Sequence, residues 1–272
     1  MPPFSRLPRI ATALIAVFLL ASCETSSTGR RQLILMSDSA LEAQAAALYG
    51  EMQQKMEIST DEAKRNYVLC VSNAITGALP GEAPDRWEVT LFDEESANAF
   101  ALPGAKIGVY TGLLDVAENA DQLAAVIGHE VAHVLERHSN ERVSSNVLSG
   151  TVVAIGTEVL AGGAATEARQ ATQQALSQGA QLLGLLPYSR AHEAEADQVG
   201  VMLMAKAGFD PAASVQLWKN MAAANASQPL EILSTHPAPA TRIQKLSSYL
   251  ETATPVYEQA RANGRRPVCK TP

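Results

Sequence analysis

Apolar residues recur at helical intervals through Leu123, Val126, Ile127, Val131 and Val134, and Asn119 with Gln122 just ahead of them has the form of a capping box. This spacing predicts a helix running to roughly His138. Two earlier helices are predicted near Asp38–Glu57 and Asp61–Leu79, each opened by an acidic cap. Another spans Ser189–Ala207, and a further one begins at Asp210-Pro211, with proline in the first turn. Ahead of the Asn119 helix the period changes to two. Trp87–Phe92 alternates as a strand does, and Ala97–Leu102 and Lys106–Tyr110 read as two more strands around a Pro103-Gly104 turn. A small sheet directly before a long helix offers an edge that an extended peptide could join as another strand, or strands that only cover the core.

The chain's ends carry a different pattern. Arg6 and Arg9 precede an apolar run from Ile10 to Ala21 with no acid, the form of a secretory signal over residues 1–22 and too short for a comfortable membrane span. The run closes on Leu20-Ala21-Ser22-Cys23, which looks like a bacterial lipobox, where the cysteine is acylated and becomes the mature N-terminus; an ordinary cleaved signal with an incidental cysteine is the alternative. Acyl chains contribute about 0.8 kcal/mol per buried methylene, so several would hold the protein on a membrane. Glu24, where an inner-membrane lipoprotein usually carries Asp, favours the outer membrane, facing the periplasm. The expected organisation is then a signal peptide over 1–22, the lipidated Cys23 and a polar linker over 23–36, one domain over 37–253, and a tail over 254–272 that is loosely ordered unless Cys269 pins it. The stretch Leu148–Ala165 is apolar, but Glu158 and its glycines argue against a span.

Abundant alanine and only 5% aromatic residues point to an α+β fold that is predominantly α-helical. Losing Arg6 and Arg9 with the signal takes the formal charge from −7 to −9, and no basic run offsets it, which excludes nucleic acid as a partner. With Cys23 assigned to lipid, Cys70 and Cys269 remain. In an oxidising compartment they read as one disulfide tying an N-terminal helix to the tail; two separate thiols are the other reading.

The chemistry lies in His129-Glu130-Val131-Ala132-His133. Residues four apart on a helix share a face, so both imidazoles can bind one Zn²⁺, with Glu130 placed to accept a proton from water. Metal-assisted hydrolysis, most often of a peptide bond, is the reaction this implies. Such a zinc needs a third protein ligand and an open position. Candidates lie in Ser189–Gly200, where Glu193 and Asp197 share a helical face and Glu195 points away; a carboxylate ligand with a second carboxylate orienting a histidine would fit, as would a solvated acidic face.

The His-Glu-x-x-His helix, followed by Ser189-Arg190-x-x-Glu193-x-Glu195-Ala196-Asp197, resembles the gluzincin metalloproteases of the HtpX, BepA and CAAX-prenyl endopeptidase family. Gly29-Arg30-Arg31-Gln32-Leu33, Asn98–Gly104 and Ser234-Thr235-His236-Pro237 are similar to its periplasmic, LoiP-like lipoprotein branch. The resemblance implies a zincin-like domain, Glu193 as third ligand beside His129 and His133, and Glu130 as the base. It implies that the strand at Asn98, Ala99, Phe100 and Ala101 is the substrate edge. His236 and Arg242 are implied to approach the metal, His236 stabilising the oxyanion or capping the metal in a latent state. Misfolded or stalled envelope proteins are the implied substrates, with the outer-membrane assembly machinery as a partner. Gly104-Ala105 departs from the family's usual two glycines, which is expected to alter that turn. His138 and His192 are assigned no chemistry.

Overall fold

The computed structural model describes residues 23–81, 86–148, 188–227, 229–236 and 241–272. The predicted signal peptide over 1–22 and residues 149–165 of the apolar stretch lie outside them. Strands β1 (Cys23–Thr25) and β2 (Arg31–Leu33) precede helices α1 (Asp38–Lys55) and α2 (Glu62–Thr76). Strands β3 (Glu88–Phe92), β4 (Ala99–Leu102) and β5 (Lys106–Tyr110) lead through a 3-10 turn at Thr111–Asp115 into α3 (Ala120–Leu135). After a break, residues 138–148 are helical, and then come α4 (Arg190–Ala207), α5 (Ala212–Ser227), α6 (Ile232–Thr235) and α7 (Arg242–Ala262). Among these elements no helix is long and apolar enough to cross a membrane.

The local chemistry explains the boundaries. Ser37, Asp61, Asn119 and Ser189 each accept a backbone N–H of the first turn of the helix they open, an arrangement worth about 1 kcal/mol apiece. Gln122 closes its half of the box one residue early, accepting from Glu118 N–H instead of that of Asn119. In the three-stranded sheet β5 is central, parallel to β3 and antiparallel to β4, which leaves β4 at an edge. One apolar core, including Val71, Ile107, Leu123, Ile127 and Met204, joins the sheet to α2, α3 and α4.

The site is positioned by the crossing of α3 and α4. A Cβ on Gly128 would lie 2.9 Å from Gly200 O, and one on Gly200 would lie 2.8 Å from His129 N. Only glycine at both places lets the two backbones approach so closely. The crossing sets the His-Glu-x-x-His face directly against the acidic face of α4.

Several expectations change. Residues 23–33 are an antiparallel hairpin with Cys23 opposite Leu33, not a free linker, because its turn side chains find partners on the domain. The zinc-site helix stops at Leu135 instead of near His138, since Arg137 takes a left-handed φ of 54°. The tail over 254–272 begins as helix: α7 runs through Pro255 to Ala262, held by the buried Ala253 and Ala260, and Cys70–Cys269 is a disulfide with Cα atoms 5.6 Å apart. At the β4–β5 turn Ala105 adopts φ 61° after Gly104 at φ 82°. The alanine thus occupies a left-handed conformation that a glycine takes without penalty.

Candidate active site

His129 and His133 leave successive turns of α3 with Nε2 atoms 3.1 Å apart. Glu193, in the first turn of α4, reaches between them, with oxygens 3.4 Å from His129 Nε2 and 3.5 Å from His133 Nε2. His236, just after α6, adds Nδ1 at 3.3 Å from His129 Nε2 and 3.0 Å from Glu193 Oε1. All four side chains are buried, and their donor atoms lie within 4.8 Å of one another. Four ligands at Zn–N distances near 2.0–2.1 Å stand about 3.3 Å apart at the corners of a tetrahedron, so the spacings present suit zinc, as does a set of three imidazoles and one carboxylate.

His133 and Glu193 are kept in a metal-binding form, and His129 is not. Burial, then the neighbouring imidazoles of His129, His236 and His138, keep His133 well below its ordinary pKa and therefore neutral. Burial opposes ionisation of Glu193, but hydrogen bonds to His129 and His236 outweigh it and hold its carboxyl well below the usual range. Burial would also lower His129, yet Asp197 and Glu193 raise it to about 9 without metal, so a metal must displace a proton there.

The surrounding side chains are equally buried. Asp197 Oδ1 lies 3.0 Å from His129 Nδ1. Arg242 donates to Glu193 Oε2 at 2.9 Å and to Asp197 Oδ1 at 2.6 Å, with its guanidinium carbon 3.5 Å from the centre of the Trp218 ring. The acidic run of α4 is therefore not a solvated face: Glu193, Glu195 and Asp197 are all buried. Tyr188 stacks on His133 at a centroid distance of 3.9 Å and shares a hydrogen bond with Ser139. On the other side of His133, Nδ1 faces His138 Nδ1 at 2.9 Å.

Glu130 is 2% exposed and has an oxygen 3.4 Å from His236 Nε2. Burial pushes its carboxyl upward, against the pull of His236 and His129. The Ala101 backbone of β4 faces the Glu130 carboxyl and pulls in the same direction as the two histidines. Ala99 and Ala101 are buried, and the Phe100 ring covers Gly108, where a Cβ would lie 2.1 Å from the ring. Asn98 is turned away from the donor cluster, its Nδ2 donating to Glu231 at 2.9 Å.

Sequence reasoning assigned no part to Gly128, Gly200, Tyr188, Trp218, His138 or the hairpin. A signal existed for the glycines, because a helix-interior glycine costs about 1 kcal/mol and implies close packing. For the others, contact arises only in three dimensions.

Residues 62–250 match the profile of peptidase family M48. The mitochondrial metalloendopeptidase OMA1 of Schizosaccharomyces pombe is 37% identical over 178 residues, covering 65% of this chain and 50% of that protein. Its human counterpart is 29% identical over 257 residues, 90% of this chain and 49% of that protein. The beta-barrel assembly-enhancing protease of Escherichia coli is 28% identical over 174 residues, 62% of this chain and 36% of that protein. The chain thus spans half or less of the length of these relatives. The profile covers most of the described domain, and all four donor residues, His129, His133, Glu193 and His236, lie inside it: the chain belongs to peptidase family M48.

Proposed function

We propose that this chain is a zinc-dependent endopeptidase of the bacterial envelope that degrades misfolded or stalled polypeptides. In this reading an acylated Cys23 anchors it in the periplasm, at the outer membrane in preference to the inner. The observation that carries the catalytic part is the buried Glu130 carboxylate beside four donor atoms within 4.8 Å of one another. The Escherichia coli relative is named for enhancing β-barrel assembly, which supports the outer-membrane assembly machinery as a candidate partner.

A zinc ion held by His129, His133 and Glu193 would supply an acidified water and polarise the scissile carbonyl. Glu130 accepts the water's proton and returns it to the leaving amine. Burial raises its pKa above the ordinary carboxylate value, the direction that favours holding a proton during the exchange. The Ala101 backbone of β4 faces the Glu130 carboxyl, and the edge position of β4 suits an incoming extended substrate. His236 can serve at either of two atoms. With Nδ1 in the donor cluster it would serve as a further ligand to the ion; swung out, it would be free to stabilise the developing oxyanion.

That closed arrangement favours a second reading, a latent or non-catalytic holding factor on the same fold. The deciding experiment compares wild type with Glu130→Gln, both with zinc content verified, on an unfolded model protein. Cleavage by wild type, reduced by roughly 10²–10⁴-fold in the variant, is the expected result. Equal cleavage by both would sink the mechanism. No cleavage by either would favour the holding factor, unless His236→Ala restores it.

A further inference from the structure

A buried polar chain leads from the ligand His133 out to the N-terminal hairpin. His133 Nδ1 meets His138 Nδ1 at 2.9 Å, and His138 Nε2 meets Glu195 Oε2 at 2.9 Å. Glu195 is then enclosed by the hairpin turn: Arg30 Nε donates to Oε2 at 2.7 Å, and the Ser26 and Thr28 hydroxyls donate to Oε1. Arg30 spans onward to Glu141 with two hydrogen bonds of 2.7 Å each. His138 is fully buried and Glu195 is 4% exposed, so water is not available to replace these partners.

We infer that the hairpin over residues 23–33 is a positioning element of the metal centre, orienting His133 through Glu195 and His138. The inference rests on the zinc site proposed above. Two observations carry it. The first is proton placement. With its Nε2 lone pair given to a metal, neutral His133 must carry its proton on Nδ1 and donate it to His138 Nδ1. His138 then carries its own proton on Nε2 and donates to the Glu195 carboxylate. Only one tautomer of each ring satisfies the whole chain, and its outer end is fixed by three hairpin side chains. Ligand histidines are commonly oriented by a carboxylate or carbonyl on the free ring nitrogen. Here the carboxylate acts one ring further away.

The second observation is the break after α3. Residues five apart on a continuous helix point about 140° away from each other, so His133 and His138 could not meet there. The left-handed Arg137 at φ 54° ends α3 and turns His138 back against His133. The Arg137 guanidinium pairs with Glu24 of the hairpin and with Asp38, the latter at 2.7 Å. Ser27 also binds Glu136, with N–H to Oε2 at 2.9 Å. The hairpin therefore grips both the carboxylate at the end of the chain and the break that creates it.

The test uses the purified full-length chain, with zinc affinity measured by competition with a chromophoric chelator. Glu195→Gln and the double variant Ser26→Ala/Thr28→Val are compared with wild type and with Ser144→Ala. The last loses a 2.8 Å hydrogen bond to Leu35 N–H and so loosens hairpin docking outside the chain. The expected result is zinc binding weakened roughly 10–100-fold in the first two and by less than about twofold in Ser144→Ala. Imidazole ¹⁵N spectra of the zinc-loaded wild type should show His133 protonated on Nδ1 and His138 on Nε2. Unchanged affinity in both chain variants, an equal loss in Ser144→Ala, or His138 protonated on Nδ1 would each overturn the inference. Wild type that binds no zinc would overturn the proposed function itself, and this inference with it.

Discussion

The two histidines of one motif are oriented by different parts of the chain. His129 Nδ1 faces a carboxylate directly, Asp197 at 3.0 Å, which belongs to α4 and is itself held by Arg242 of α7. His133 Nδ1 faces another histidine, and the carboxylate behind it is held by a hairpin at the start of the described chain. The His129 side is enclosed by core helices: Arg242 is 3% exposed at its side chain, against 24% for Arg30. The same motif thus depends on the helical core at one residue and on a peripheral strap at the other.

That contrast should appear most strongly in the two arginines. Arg242→Ala removes a buried cation from two buried carboxylates and from the Trp218 ring, and should destabilise the fold by about 3–5 kcal/mol. Arg30→Ala removes charge-assisted hydrogen bonds in a partly exposed setting and should cost about 1.5–3 kcal/mol. Urea denaturation of both variants checks the order. Equal costs would erase the distinction between core and strap.

Gly200→Ala should break the comparison from the other direction, by damaging both sides together. The new Cβ would lie 2.8 Å from His129 N and 3.0 Å from Gly128 C, so α3 and α4 must separate. A cost of about 1–3 kcal/mol is expected, with zinc affinity reduced along with it. Zinc titration and thermal melting of the variant test this. Retention of wild-type affinity would mean that the helix crossing does not set the ligand spacing.

These residues also mark how far the sequence could be read. Helices α1 to α5, the three-stranded sheet and the motif pair were legible because each depends on local signals: apolar period, caps, and histidines four apart; α7 and the helix over 138–148 were not. Asp197 was legible as a partner for a ligand histidine because it sits one turn from Glu193 on the same face. His138 was not, because the contact requires a left-handed arginine at position 137, which no local propensity favours. The hairpin read as a polar linker because Ser26, Thr28 and Arg30 look solvated until Glu195, 165 residues beyond Arg30, is brought to them. Pro255 gave a misleading stop for the same kind of reason. A helix-interior proline costs about 3 kcal/mol, yet α7 continues past Pro255 where Leu246, Tyr249, Leu250, Ala253, Val256 and Tyr257 pack into one apolar cluster.

Acid should loosen the strap before the core. Burial opposes ionisation of Glu195 and Glu141, but the hydrogen bonds from Ser26, Thr28, His138 and Arg30 on the first, and from His192 and Arg30 on the second, lower each to about 2. An unfolded glutamate titrates near about 4.3. The stabilisation from these depressed groups is therefore fully present above about pH 4.3 and is lost as pH falls toward about 2. Hydrogen exchange at Ser26 and Gly29, whose amides or carbonyls close the turn, should rise over that window ahead of the amides of α3. Simultaneous loss would mean that the hairpin and the core unfold as one unit.

The smallest expected effect supplies the reference for the others. Ala105 sits at φ 61° in the β4–β5 turn, 5% exposed and well removed in sequence from either histidine's supports. A left-handed conformation costs a non-glycine residue roughly 1–2 kcal/mol, and glycine escapes it. Against this, glycine loses the buried methyl and gives the unfolded chain more freedom, which together return part of the gain. Ala105→Gly should therefore raise stability by up to about 1 kcal/mol, seen as a higher denaturation midpoint at unchanged slope. Zinc affinity should not move, because the turn touches neither Asp197 nor the hairpin chain. A change in zinc affinity as large as that from Glu195→Gln would show that general loosening or tightening of the fold reaches both histidines, and that the separate supports described for them are not separate in effect.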